Sequence, residues 1–195
     1  RGTVNSLLAG NVAVNAAGSF SDEALSSQDL SVYSISAAAG DDAGIGGVAT
    51  VVTSKNDVEA LVGAGASIDV TDGVTLDAEP ALTTLSVGGG LGVSGSVGIG
   101  ATASVVTVDD TTKALIEDGT AGDFTTVNAG GAVDITANAS EDGSSYVAAG
   151  AASGEVAVGA GAAVYVLGTT TEAEIGAYAQ IGQTTSPSSL AVSAT

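Results

Sequence analysis

Apolar and polar residues alternate along most of this chain with a period of two. Between Val97 and Val105 the odd positions are Val, Ile, Ala, Ala and Val, and the even positions are Gly, Gly, Thr and Ser. A period of two places successive side chains on opposite faces of a strand, whereas a helix needs a spacing near 3.6 and disfavours Gly and β-branched residues. The pattern predicts strands, with the Val and Ile face inside and the Gly, Ala, Ser and Thr face forming a flat outer wall.

The alternating stretches recur as a long repeat. IGGVATVVTSKNDVEALVG from Ile45 aligns without gaps with IGATASVVTVDDTTKALIE from Ile99 and with VGAGAAVYVLGTTTEAEIG from Val158, so the offset between copies is 54 and then 59. A second motif follows each copy, as GVTLDA, AVDITA and SLAVSA, and NVAVNA is an earlier relative. The chain therefore forms a single repetitive β domain, 1–195, with a partial unit 1–29 and units of about 30–81, 82–143 and 144–195.

Short strands, turn residues and a long repeat predict an all-β fold, a parallel β-solenoid or β-helix built from units of roughly 54 to 62 residues. Such a unit exceeds one ordinary coil, so we expect two or three coils per unit. Pro80 and Pro187 are expected to lie between motifs, where they break no ladder. The alternative is antiparallel: a hairpin-based β sandwich or barrel in which Asp109 and Asp110 form a turn.

The composition fits a thin core of small side chains. Hydrophobic residues make up 45% of the chain, but only 3% are aromatic, 29 residues are Gly, and Trp and Met are absent. A thick core would draw on larger side chains. Because the chain opens on Arg1 rather than Met and shows no signal peptide, we expect a processed product or an excerpt of a longer polypeptide.

The net charge of −19 excludes two classes of partner. Such a surface repels nucleic-acid phosphates and anionic lipid headgroups. The uncharged run from Val156 to Gly168 is shorter than the roughly 20 residues of a membrane helix, and four Tyr and two Phe are too few for aromatic girdles at a membrane interface. We expect neither nucleic-acid binding nor membrane insertion.

The residue types for most enzyme chemistry are missing. No His and no Cys are present, which excludes Ser-His-Asp triads, Cys nucleophiles and metal sites that use either residue. Four pairs of adjacent acids remain as candidates for glycosidase acids or calcium ligands: Asp41 with Asp42, Asp109 with Asp110, Glu117 with Asp118, and Glu141 with Asp142. Adjacent acids in turns are normally solvated, so we predict no enzyme and assign no catalytic, cofactor or metal residue.

Calcium is the better functional interpretation of these acids, but not as a ladder. Asp109 and Asp110 align with Lys55 and Asn56 in one copy and with Gly168 and Thr169 in another. The acids therefore do not repeat from unit to unit, and only an isolated Ca²⁺ site stays open.

Four further sequence features give little support for a specific function. Glu59, Lys113 and Glu172 share one repeat position, but intervening coils would keep them about 10–15 Å apart, where screening leaves little attraction. VGGGLGVSGSVGIG is not followed by a helix pattern, as a phosphate loop would be. Asn138–Ser140 fits a glycosylation acceptor. The threonines at 169–171 align with Asp110, Thr111 and Thr112 in the second copy but with Asn56, Asp57 and Val58 in the first. Thr therefore does not recur on every coil, as an ice-binding array would require.

The repeat resembles that of very large filamentous adhesins of Gram-negative bacteria, the haemagglutinin-like and leukotoxin-type surface proteins. The likeness extends from about Leu30 onward and rests on GxGAAVxV followed by TEAxIG, with DITA and VTLDA motifs. Its matching residues are Gly159, Gly161, Ala162, Ala163, Val164, Val166, Thr171, Glu172, Ala173, Ile175, Gly176, 134–137 and 74–78. The resemblance implies a secreted, extended β-rich stalk at the cell surface, used in adhesion or fibre formation, and transfers no catalytic residue.

The sequence thus predicts a structural extracellular protein, a segment of a filament or adhesin stalk that self-associates through coil ends and small-residue faces. Its expected partners are a homopolymer or neighbouring repeats of the same chain, with a surface glycan or host receptor as a further candidate. The alternative is a calcium-dependent or carbohydrate-binding adhesive module, and a weaker one is a polysaccharide-degrading β-helix.

Overall fold

The computed structural model describes all 195 residues, and every regular element in it is a strand. In chain order these are β1 (Gly2–Leu8), β2 (Ala13–Ala16), β3 (Phe20–Gly40), β4 (Ala43–Val62), β5 (Ser67–Val70), β6 (Val74–Ser94), β7 (Val97–Ile116), β8 (Thr125–Ala129), β9 (Ala132–Ala137), β10 (Ser140–Ala152), β11 (Val156–Ile175), β12 (Ala179–Ile181) and β13 (Ser189–Ala194). No helix is present that could cross a membrane.

The strands form three parallel sheets. Sheet 1 has the order β1-β4-β7-β11, sheet 2 has β12-β8-β5-β2, and sheet 3 contains β3, β6, β9, β10 and β13. The chain visits sheets 1, 2 and 3 in turn and then starts the next coil, so the fold is a parallel β-solenoid, as predicted. The antiparallel alternative is wrong, because Asp109 and Asp110 lie inside β7 rather than in a turn.

Each sequence unit is a single coil, and the expectation of two or three coils per unit is wrong. In sheet 1 Ile45 pairs with Ile99, and Ile99 with Val158. The strand register therefore reproduces the gapless sequence alignment. One unit fits one coil because its strands are unusually long: β4, β7 and β11 each have 20 residues, against a common strand length of about five or six.

The longer offset between the second and third copies comes from one turn. Val62 ends β4 and Ser67 begins β5, whereas Ile116 ends β7 and the partner of Ser67, Thr126, comes ten residues later. The five extra residues lie on the surface, where Thr120 and Asp123 close a short bridge. Because turns absorb insertions that a ladder cannot, the register of every sheet is maintained.

Pro80 lies within a strand, which corrects the expectation that it separates motifs. It is buried in the middle of β6 and pairs with Ser26. On its other side Asn138 N donates to Ala78 O, and the return bond of a parallel ladder would come from residue 80, where proline has no N–H. This missing donor coincides with the gap between β9 and β10.

The coil has two parts, which we call the head and the blade. The blade consists of residues 30–54, 84–108 and 143–167, where sheets 1 and 3 lie directly face to face; the remaining residues, where sheet 2 closes a three-sided interior, form the head. Seventeen buried residues make up the principal hydrophobic core: Ala24, Val58, Ala60, Val62, Ala66, Ile68, Val70, Val74, Leu76, Ala78, Ala114, Ile116, Val127, Ala129, Val133, Ile135 and Ala137. All of them lie in the head.

Toward the tip of the blade the two faces of the strands are the reverse of those predicted. Gly98, Gly100, Thr102 and Ser104 point into the coil, while Ala101 and Val105 are exposed outside. Hydrophobicity alone assigned the larger side chains to the interior. Near the tip of the blade the interior is too narrow for them, so the small residues occupy it, and the flat wall that they form meets the opposite sheet of the same coil. Where the blade joins the head the interior is wider and holds a second buried cluster, Val52, Val106 and Val108 with Leu82.

The charged column is an ion pair, which corrects the expectation of a screened separation. With one coil per unit, Lys113 pairs directly with Glu59 on one side and Glu172 on the other. The Lys113 Nζ lies 3.5 Å from the Glu172 carboxylate. Two outward columns further along the strand, Lys55 Nζ lies 3.1 Å from the Asp109 carboxylate.

Candidate functional site

The blade is almost free of charge. Its only carboxylates are those of Asp41, Asp42 and Glu155, all three lie in the turns at its tip, and it contains no Lys or Arg. The rest of the charge that gives the protein its net value of −19 belongs to the head. The blade faces are therefore the part of the surface on which another molecule can pack without burying a charged side chain or meeting electrostatic repulsion.

Close backbone contact holds the two blade sheets together. A Cβ atom added at Gly98 would lie 2.6 Å from the carbonyl oxygen of Ala152, and one added at Gly46 would overlap the carbonyl oxygen of Leu91. Hydroxyl groups bridge the same interior, since Ser86 Oγ and Ser104 Oγ are 2.8 Å apart. Near its tip the blade interior thus has no room for a side chain at the glycine positions, whereas Val52, Val106 and Val108 are enclosed where the blade meets the head.

The outer face of sheet 1 in the blade is a set of apolar columns. Ile45, Ile99 and Val158 form one column and Val51, Val105 and Val164 another, separated by columns of Gly and Ala. Val51 is 74% exposed. Two ridges of branched residues therefore flank a shallow valley of small ones, at the spacing of about 4.8 Å between strands.

The outer face of sheet 3 is apolar as well. Ile35 is 83% exposed, and Tyr33 and Tyr146 are exposed on either side of Val87 in one column. A shallow depression of about 350 Å³ lies next to them, lined by Ile35, Ser36, Ala37, Gly89, Gly90, Leu91, Ala148, Ala149 and Gly150. Exposed apolar area on both sides of one element marks a contact surface more often than isolated exposed residues do.

Both ends of the solenoid present open strand edges. Strand β1 has a partner only in β4, and β11 has one only in β7. Each edge offers a row of unpaired main-chain N–H and C=O groups, which can pair with a further coil.

The structure does not bring the four acid pairs together into one site. Asp41 and Asp42 lie at the blade tip, and in the Asp109–Asp110 pair Asp109 points outward while Asp110 is buried. No group of three or more Asp and Glu side chains is arranged to hold a metal ion. Register is what separates neighbours such as Asp109 and Asp110, because successive residues of a strand face opposite sides.

The third pair, Glu117 and Asp118, lies in the turn after β7. With Glu174 it lines a shallow groove of about 370 Å³. Each acid accepts a main-chain hydrogen bond, Glu117 from Ala64 N at 3.2 Å and Asp118 from Ala177 N at 2.6 Å. These bonds give both acids a role in fixing turns of successive coils.

The smaller motifs also have defined surroundings. Asn138 is half-buried, and its Oδ1 accepts a hydrogen bond from Thr195 Oγ1 at 3.0 Å. The threonines at 169–171 lie in β11 and alternate between its faces, so they do not form a flat array. The Gly-rich stretch 87–100 forms the ends of β6 and β7 and the tip turn, with no helix.

Comparison of the chain with protein-family models, with curated protein sequences and with solved structures finds no match.

Sequence reasoning missed the apolar outer faces of the blade. The period of two predicts the strands correctly, but it does not show which face of each strand lies inside the coil. The near absence of charge from three separate long stretches was the available signal, since a strand exposed on one side normally carries polar residues on that side.

Proposed function

We propose that this chain is a structural segment of an extracellular filament or adhesin stalk. Its open ends pair with further coils, of the same polypeptide or of another copy, and the outer faces of its blade pack against the blade of a second copy. The observation that carries the proposal is the stack of single-unit coils with two open edges and two apolar, uncharged blade faces. The Gly, Ser and Thr face near the blade tip lies inside the coil, so the small residues that take part in this association are the outward Gly and Ala columns between the Ile and Val ridges.

Coil ends support growth along the solenoid axis. A new coil that continues the ladder pairs main-chain groups along the whole length of β11, and its apolar residues extend the head core. A head-to-tail contact of this kind does not close on itself, so it propagates into a fibre.

The blade faces support lateral contact with a second copy. Their columns repeat at the strand spacing, so a second solenoid is a partner whose side chains match them rung for rung. A face of about 12 residues by three rungs covers roughly 570 Å², from strand dimensions of about 3.3 Å and 4.8 Å. Two such faces bury about 1,100 Å² in total, close to the lower limit of about 1,000 Å² for a specific interface. Lateral contact is then weak for three coils and grows with coil number.

The charge distribution favours the same arrangement. Blade-to-blade packing leaves the acidic heads outside and apart, so the net charge of −19 is not concentrated in the contact. The heads then keep the assembly soluble, as a high surface charge does in general.

Electron microscopy and sedimentation velocity of the purified protein test the proposal. We expect filaments that bundle laterally at high protein concentration, and we expect Val105→Asp, which puts a charge in the centre of the sheet 1 face, to abolish bundling. Thr111→Asp is the matched control, because Thr111 lies on the same outward side of β7 but in the head. Dispersed monomers at every concentration would contradict the proposal, and glycan-array binding by such monomers would favour the carbohydrate-binding alternative.

A further inference from the structure

A layer of polar side chains crosses the interior where the blade meets the head. In sheet 1 the inward column at this level is Asn56, Asp110 and Thr169, and in sheet 3 it includes Gln28 and Glu141 on either side of Leu82. Gln28 Nε2 donates to Asn56 Oδ1 at 3.1 Å at one level. Thr169 Oγ1 donates to Glu141 Oε2 at 3.1 Å at another. The level between them contains Asp110.

Asp110 is buried without any side-chain partner. Its exposed fraction is 1%. Neither carboxylate oxygen makes a well-formed hydrogen bond, although the main-chain N–H of Asn56 is close enough to stabilise the charge in part. Two further buried oxygens in the same region are also unpartnered, Glu141 Oε1 and Thr112 Oγ1. A buried carboxylate is strongly unfavourable unless it is neutralised or hydrogen-bonded.

No basic side chain of the protein neutralises this layer. Arg1 pairs with Asp57, Lys55 with Asp109, and Lys113 with Glu172. Each of these contacts lies on the outside of sheet 1, and the sequence contains no other Lys or Arg. The compensating charge therefore has to come from solution.

The acids in the layer affect one another. Burial and then the Glu141 carboxylate raise the pKa of Asp110 to about 6, and the nearby main chain of Asn56 offsets only part of this increase. Burial also raises the pKa of the Tyr165 hydroxyl, and Glu141 and Asp110 add to that effect. Asp110, Glu141 and Tyr165 are thus close enough to interact, and a cation between the two carboxylates would stabilise them.

We propose that this layer binds one calcium ion between the carboxylates of Asp110 and Glu141, with hydroxyl oxygens of Thr112 and Thr169 completing the protein ligands. Two carboxylates balance the double positive charge. The donor set consists only of oxygen, as Ca²⁺ prefers, and main-chain carbonyls or water can supply the remaining positions of a six- to eight-coordinate site. Thr169 is exposed at the open end of the solenoid, so the ion has a route of entry.

Calcium titration of the chelator-treated protein, by calorimetry and by thermal melting, tests this site. We expect saturable binding with a stoichiometry of one and a rise in melting temperature with calcium concentration. Asp110→Asn and Glu141→Gln are each expected to weaken binding at least tenfold. Terbium provides a second readout, since tyrosine excitation should sensitise its emission through the nearby Tyr165.

Each ligand has a matched neighbour as a control. Asp109 and Asp142 are adjacent in sequence but point outward, so Asp109→Asn and Asp142→Asn should bind calcium with unchanged affinity. The inference is overturned if millimolar calcium gives no saturable binding, or if Asp110→Asn binds as tightly as the unsubstituted protein. A fold check by circular dichroism accompanies every variant. Filament formation is scored separately, because the site does not depend on the proposed assembly.

Discussion

The head and the blade are built from the same continuous strands, yet they exclude water in opposite ways. The head surrounds a three-sided interior filled with Val, Ile and Leu, and its fully buried side chains include Ile68, Leu76 and Ile135. Beyond a small buried cluster of Val52, Val106, Val108 and Leu82 next to the head, the blade brings two sheets together on Gly, Ser and Thr. It leaves Ile35, Val51 and Tyr33 outside. The comparison shows that the available width, rather than hydrophobicity, decides which side chains a coil encloses.

Volume is therefore the quantity that should distinguish the two regions. Removing side-chain volume is expected to damage the head, where it opens a cavity. Adding volume is expected to damage the blade, where the facing backbones have no room to move apart.

Leu76→Ala should lower the free energy of unfolding by about 2–5 kcal/mol, the usual range for a buried leucine truncated to alanine. Leu76 is fully buried in the head core. Thr75→Ala, on the outward side of the same strand, should cost less than about 1 kcal/mol, within the span of strand propensities. Denaturant unfolding measures both. Equal losses for the two variants would show that the head core does not dominate stability.

Gly46→Ala should lower the free energy of unfolding by about 1–3 kcal/mol through overpacking, because its methyl group overlaps the Leu91 carbonyl oxygen. Gly47→Ala is the neighbouring control: its methyl group points outward, with its closest contact 3.7 Å from the Ala101 carbonyl oxygen. That variant should be neutral or slightly stabilising. Hydrogen exchange should show faster opening of the blade amides in Gly46→Ala while the head remains protected. Equal stability of the two variants would contradict the close approach of the sheets.

Asp77→Asn should stabilise the protein at pH 7, by less than Leu76→Ala or Gly46→Ala destabilises it. Burial raises the pKa of Asp77 above 3.8, and Glu79 and Glu23 raise it further. An acid with a raised folded-state pKa costs stability once it is ionised, so the penalty is absent below pH 3.8 and develops as the pH rises through the raised pKa. The advantage of Asp77→Asn over the unsubstituted protein in thermal melts should therefore shrink as the solution is acidified.

Asp134→Asn serves as the control for this charge effect. Asp134 is half-buried in the head and pairs with Thr75 and Ala191, so neither residue directly opposite it in the adjacent coils is an acid. It should gain less stability than Asp77→Asn at pH 7. An equal gain would assign the effect to the net charge of the protein rather than to the acids around Asp77.

The ladder could be predicted from the sequence because the repeat itself encodes it. The gapless alignment of Ile45 with Ile99 and Val158 is the strand register, and the alignment of Lys113 with Glu172 is an ion pair. The number of coils could not be predicted in this way. A repeat fixes which residues are neighbours between coils, but the length of strand within a coil depends on where the chain turns, and Asp109–Asp110 looked like a turn.

The face assignment failed for a different physical reason. Periodicity shows that Ile99 and Gly100 lie on opposite sides, but whether an interior is wide or narrow is a property of two sheets together. The same limit hid the proposed calcium ligands. Asp109 and Asp110 are identical in sequence terms, and only the register of β7 makes one a surface partner of Lys55 and the other a buried, unpartnered carboxylate.

The size of the coil has a consequence for any fibre made from it. Each turn of the solenoid consumes more than fifty residues and advances the axis by only about 4.8 Å, which is roughly 0.09 Å per residue. At that rate a thousand residues would give a rod of only about 90 Å, broad in cross-section and slow to lengthen. A long fibre would then be built more readily by joining finished rods end to end than by lengthening the single polypeptide.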